Sequence, residues 1–166
     1  WEMSKPITKE LLEDYKRYFM LITYGKSGSA CKVTPKDVFE PELFPCEYNS
    51  FEEINEHLSK SIVIRDYLEY VFAGSFAFWC GEEDVEECLN NMFEVIAKKN
   101  HDYGSDNIPD MGLLGIYQMI DNKINRITTL ANADEINFES MEDSYFDLAS
   151  YALLGLLLCN GALSED

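Results

Sequence analysis

Three carboxylates at helical spacing carry the first chemical signal in this chain. Glu139, Asp143 and Asp147 stand at i, i+4 and i+8 within residues 138–159, so a helix through that stretch lines them up along one stripe. Its other positions are mostly apolar, among them Met141, Tyr145, Phe146, Leu148, Ala149, Leu153 and Leu156, which predicts a helix in the middle of a domain. Aligned carboxylates on such a helix repel one another and resist desolvation. They need a neutralising partner, most economically a divalent cation. The alternative is that the stripe simply faces solvent, as acidic stripes commonly do. Further oxygen donors stand on other predicted helices (Glu83, Glu86, Glu87, Glu94 and Asp121) and, as Asp102 and Asp106, in a predicted loop. Carboxylates without His or Cys companions select hard cations, so Mg²⁺ is the expected metal, with Mn²⁺ also suitable. A carboxylate-held metal with Lys123 and Arg126 nearby suits phosphoryl chemistry, in which the basic side chains stabilise developing charge. The same two side chains could equally be salt-bridge partners of the stripe.

Other chemistries find little support. The histidines are His57 and His101, and neither an HExxH nor a GxSxG pattern occurs. Cys31, Cys46, Cys80, Cys88 and Cys159 are scattered without a CxxC pair, which reads as reduced, small apolar residues of a cytoplasmic protein. Gly25-Lys26-Ser27 resembles part of a phosphate loop, but position 20 is Met where the pattern needs Gly, so a turn is expected. The 31 acidic against 13 basic residues give a net charge of −18. That balance argues against nucleic-acid backbones and anionic membranes as partners, and leaves cations, basic protein surfaces or DNA mimicry open. No secretory leader is read at the start. The longest apolar run, residues 151–159, is too short to span a bilayer.

The elements that would position these groups are helical. Periodicity predicts a helix over 7–24, capped by Thr8 or Ser4 and ended at Gly25. Pro35, Pro41 and Pro45 make 30–50 irregular, and Ser50 with Glu53 suggests a capping box before a short helix through Leu58. Residues 61–80 read as helix rather than strand. A helix follows Gly81, with acids in its first turns and Lys98-Lys99 at its end. His101 to Asp110 reads as a loop, and 111–130 and 138–158 as two more helices. The fold expected is mainly all-α, divided into an N-terminal mixed or helical extension of unknown role (1–80) and a helical-bundle domain (81–166).

Three runs then show a family likeness: Lys98-Lys99-Asn100-His101-Asp102-Tyr103-Gly104, Asp121-Asn122-Lys123-Ile124-Asn125-Arg126, and Asn137 through Leu153. They resemble the phage and bacterial nucleotide modification associated domains, whose pattern is K-x-x-DYG, then DK or D-x-K with a following Arg, then NES-x-x-D-x-x-x-DLA-x-Y. That group is similar to the MazG-like all-α nucleoside triphosphate pyrophosphatases. The resemblance covers about residues 85–160. It implies a bundle in which Mg²⁺-bound carboxylates direct water at the α-phosphate of a nucleotide, releasing monophosphate and pyrophosphate. By motif, Glu139, Asp143 and Asp147 become catalytic metal ligands, Asp102 and Tyr103 pocket residues, and Lys123 and Arg126 phosphate contacts. MazG-like enzymes face an EExxE helix with an ExxD helix. Residues 82–86 fit the first pattern and add Glu83 and Glu86 to the expected metal set, whereas the second is spaced Glu139-x-x-x-Asp143. The likeness also implies a homo-oligomer, since such bundles complete their sites by pairing. The competing expectation is an acidic interaction protein without turnover: a phage inhibitor, a DNA mimic or a nucleotide-sequestering module on the same fold.

Overall fold

A computed structural model of the chain describes residues 5–26, 55–56, 58–104, 107–132 and 140–163. Among them stand the helices α1 (Lys9–Asp14), α2 (Lys16–Lys26), α3 (Ile62–Cys80), α4 (Val85–Tyr103), α5 (Asn107–Ala131) and α6 (Met141–Cys159), and no strand. The protein is all-α. The predicted irregular stretch 30–50, the Ser50/Glu53 box, His57, Asp106 and Glu139 lie outside the described residues.

Local chemistry explains most boundaries. Thr8 is extended, and its hydroxyl accepts from the Leu11 N–H at 3.2 Å, starting α1. The single helix predicted over 7–24 is broken at Tyr15, where φ is −102° and ψ is 1°. The break lets α1 pack on α4 while α2 lies mainly along α3; the helix then runs through Gly25 to Lys26. Ser61 caps α3, and the buried Ile64, Tyr67, Leu68, Val71, Phe72 and Phe76 follow the helical period that a strand could not satisfy. Asp84 caps α4 by accepting from the Glu87 N–H at 3.0 Å, and Gly104 ends it in the left-handed region (φ 93°).

The predicted loop from 101 to 110 is shorter than expected. Helix α4 extends to Tyr103, and α5 already begins at Asn107. Pro109 sits in its first turn, where a missing N–H costs nothing. The helix kinks at Gly112 (φ 63°, ψ −176°). Just beyond the kink the Leu114 N–H is taken by Asn55 Oδ1 at 3.0 Å, a cap supplied from 59 residues away. Helix α6 begins at Met141, not at 138, because Ser140 and Asp143 close a reciprocal capping box.

Helices α3 and α6 make the most extensive contact, flanked by α5 on α6 and α2 on α3. Gly155 is what lets them approach: a Cβ there would meet Leu68 Cδ1 at 3.0 Å and Ile116 Cγ2 at 3.3 Å, from α3 and α5 respectively. The apolar core is continuous from Ile7 to Leu163 and takes in residues on both sides of position 80. The N-terminal segment is tied in by backbone as well. Lys5 N–H donates to the Leu163 carbonyl at 2.9 Å, and Ile7 N–H donates to Asn100 Oδ1 at 2.8 Å. No helix among the described residues is long and apolar enough to cross a membrane.

A polar knot closes the end where α6 stops. Arg65 donates to the Cys159 carbonyl at 2.9 Å, placing a cation at the negative end of the α6 dipole, and the Tyr18 hydroxyl donates to Glu69 at 2.6 Å. Burial pushes the Cys159 thiol from its ordinary 9.0 up to about 11, with Arg65 pulling it down and Glu69 adding to the rise. The folded state thus keeps a proton that the unfolded chain gives up at lower pH. Stability from this group is complete below pH 9 and is lost as pH rises toward 11, by about 2–3 kcal/mol. Urea midpoints followed from pH 8 to 11 should fall less steeply for Cys159→Ala than for the parent. An identical slope would acquit the thiol.

Candidate functional site

Two helix faces of matching spacing enclose a cavity. On α4, Ile96, Lys99, Asn100 and Tyr103 follow i, i+3, i+4 and i+7; on α6, Asp147, Ser150, Tyr151 and Leu154 do the same. Between them lies a space of about 150 Å³, closed by Asn107, Ile108 and Met111 at the start of α5, by Phe146, and by Ile7 from the N-terminal segment. Its walls are mainly apolar, with polar groups concentrated on the two facing stripes.

Among the described residues, Asp147 is the predicted acid that reaches this cavity. Its carboxylate lies 2.9 Å from Lys123 Nζ of α5, and the two side chains are 28% and 17% exposed. The sequence left Lys123 open as phosphate contact or ion-pair partner; here it is paired with Asp147. Tyr151 sits beside them, its phenol pushed up by burial first and then by the Asp147 charge, with Lys123 opposing and Tyr103 adding. Tyr103 stands at the rim, 70% exposed. Breaking a half-buried pair strands a charge, so Lys123→Met and Asp147→Asn should each cost about 1–2 kcal/mol. A double-mutant cycle read by chemical unfolding should give a coupling of about 1 kcal/mol; additive losses would mean that the two groups do not support each other.

The other predicted residues fall elsewhere. Asp143, one turn before Asp147, is exposed and committed to the α6 cap, with Oδ2 accepting from Ser140 N–H at 3.4 Å. Asp102 points outward beside His101, at 3.6 Å. Arg126 is exposed on α5 three residues after Lys123. Glu83 and Glu86 lie at the opposite end of α4. The thirteen residues from Glu86 to Lys99 put them roughly 20 Å away along the helix. There Glu86 pairs with Lys16 at 2.8 Å, and Glu83 accepts from Cys88 at 3.5 Å. Among the described residues no group of three His, Cys, Asp or Glu side chains is arranged to hold a metal ion. The described carboxylates therefore do not fit a divalent cation as they stand: one is ion-paired, one is a cap, and two are remote.

Sequence reasoning missed Lys99, Asn100, Ser150, Tyr151 and Ile7 as lining residues. The shared i, i+3, i+4, i+7 spacing of the two faces could have found the first four. Nothing local marks Ile7, whose place depends on a contact spanning 93 residues.

Comparison with known proteins bears on this same region. Residues 99–158 match the family model of nucleotide modification associated domain 1. Neither the curated proteins nor the solved structures yield a match. The matched span contains Lys99, Asn100, Tyr103, Lys123 and the α6 face of the cavity, whereas Ile7, Val95 and Ile96 lie before it. The segment from Lys99 to Leu158 that supplies most of the cavity is thus similar to nucleotide modification associated domain 1.

Proposed function

We propose that the chain binds a nucleotide in the cavity between α4, α5 and α6. The observation that carries this reading is the convergence, inside the span similar to a nucleotide modification associated domain, of apolar walls with a half-buried Lys123–Asp147 pair and two tyrosines. Apolar and aromatic surfaces suit the faces of a base. Lys99 at the rim and Lys123 supply cationic groups that a phosphate needs in a chain of charge −18. Asp147 then holds Lys123 in place until a phosphate competes for it.

A second reading is Mg²⁺-dependent hydrolysis to monophosphate and pyrophosphate, favoured by Asp143 and Asp147 standing one turn apart on α6. The described carboxylates of this pair are engaged in other ways, Asp147 with Lys123 and Asp143 in the α6 cap. One experiment addresses both readings. Nucleoside triphosphates are titrated calorimetrically into the protein with Ca²⁺, and products are then analysed with Mg²⁺. Saturable binding that weakens about tenfold in Lys123→Met supports the binding reading. Monophosphate and pyrophosphate in the products add the hydrolytic one. Absence of binding to every triphosphate would sink both and turn attention to a protein partner for the acidic surface.

A further inference from the structure

We infer that the non-helical segment 5–8 is a strap across the nucleotide site, so that Ile7 touches the bound molecule, and a seated strap and a bound nucleotide stabilise each other. This rests on the nucleotide-binding reading. It goes beyond that reading by naming a binding residue outside the span similar to the family, and by coupling the site to a segment far away in sequence. Helix α4 carries one face of the cavity and α6 the other. Among the described helices α4 packs on α1 and α2, and its contact with α6 across the cavity is slighter than either. The two faces are therefore not clamped by their own packing. The strap bridges them: Lys5 N–H donates at 2.9 Å to the carbonyl of Leu163, just past the end of α6, and Ile7 N–H donates at 2.8 Å to Asn100 Oδ1 of α4.

Local chemistry makes the strap stiff enough for this. Pro6 fixes its own φ and biases Lys5 before it toward extended backbone, and Thr8 is extended as the cap of α1, with φ −104° and ψ 167°. Lys5 and Pro6 are exposed, whereas Ile7 is 2% exposed and belongs to the cavity lining. Its anchor is equally well placed. Asn100 is itself buried, and its Nδ2 donates to the Gly104 carbonyl at 3.5 Å, so one amide joins the strap to the turn that leads from α4 into α5. A molecule lying between the two faces gains contact with Ile7 only while the strap is seated. By linkage, the factor by which seating strengthens binding is the factor by which binding protects the strap.

The test is amide hydrogen exchange in the full chain, read residue by residue by NMR. dATP, dGTP, dCTP and dTTP are titrated in turn, and exchange is compared without nucleotide and at saturation with the tightest binder. The Ile7 amide should exchange about tenfold more slowly in the complex. The Gly81 amide, which donates to the Ala77 carbonyl at 2.9 Å in the turn before α4 and outside the lining, should keep its rate. An Ile7 rate that binding leaves unchanged, or slowing shared equally by Gly81, overturns the inference while leaving nucleotide binding intact. No binding of any of the four overturns both. Ile7→Ala keeps the backbone bond to Asn100 but cuts back the wall, and should weaken the tightest nucleotide about fivefold. Ile22→Ala empties a similarly buried site on α2 outside the lining, and should leave affinity as in the parent. Parental affinity in Ile7→Ala, or equal weakening in both variants, also overturns the strap's role. If Ile7→Ala does not fold, the exchange measurement on the unaltered chain decides.

Discussion

Phe72→Ala is expected to lower the unfolding free energy by about 4 kcal/mol, within the range for emptying a buried phenylalanine site. Phe72 of α3 is fully buried, with ring centroids 5.1 Å from Phe19 of α2 and 5.4 Å from Phe76. Phe19 in turn reaches Phe93 of α4 at 6.2 Å, so Phe72 backs the ring, Phe19, at which α2, α3 and α4 meet. Because α2 and α4 are held at other points by polar contacts, the void cannot collapse without disturbing them. A loss of this size is a large share of the stability of an ordinary domain, and should appear as a lower urea midpoint with an unchanged slope. A loss below about 1 kcal/mol would mean that the neighbours can close the gap, contrary to the packing described.

The second large effect is expected at Gly112, where Gly112→Ala should cost about 3 kcal/mol. The conformation there (φ 63°, ψ −176°) is one that only glycine adopts freely, and forcing another residue into it costs about 1–3 kcal/mol. A Cβ would also come within 2.6 Å of the Asn55 side chain. Asn55 would have to move, and its hydrogen bond to Leu114 N–H would go with it, for about 1 kcal/mol more. Gly74→Ala is the control. It lies inside α3 with open space around the new methyl group, so it should be neutral or stabilising by up to about 1 kcal/mol. The kink matters for the cavity as well, because α5 lines it with Ile108 and Met111 before the kink and, after it, carries Lys123, which pairs with the lining residue Asp147. Gly112→Ala should therefore also weaken ligand binding. If both glycine variants unfold alike, backbone geometry is not what holds the kink.

How far these features could be read in advance depends on their range. Helices α3 to α6 were legible because each repeats its apolar residues at the helical period over about five turns or more. So were the Thr8 cap and the acid-loaded start of α4, whose causes lie within a few residues. The break at Tyr15 was not, since it answers to where α4 and α3 lie and not to the pattern of the segment itself. The kink at Gly112 could be suspected from a glycine but not placed, because its cap is Asn55. The acid stripe shows the same limit. Equal spacing predicted a common role for Asp143 and Asp147, yet one caps the helix and the other pairs with Lys123, because the helix begins two residues before Asp143.

Sequence alone therefore determined the all-α class, the long helices and the segment similar to nucleotide modification associated domain 1, because periodicity, caps and motif spacing are properties of neighbouring residues. Only the tertiary structure decided which side chains meet. Ile7 reaches the cavity through a hydrogen bond to Asn100, Lys123 of α5 finds Asp147 of α6, and Glu83 and Glu86 are left at the far end of α4. Those outcomes follow from the angles at which helices pack and the points at which they bend. Such angles are set by close approaches like that at Gly155, where α3 and α5 come together on α6, and no local pattern records them.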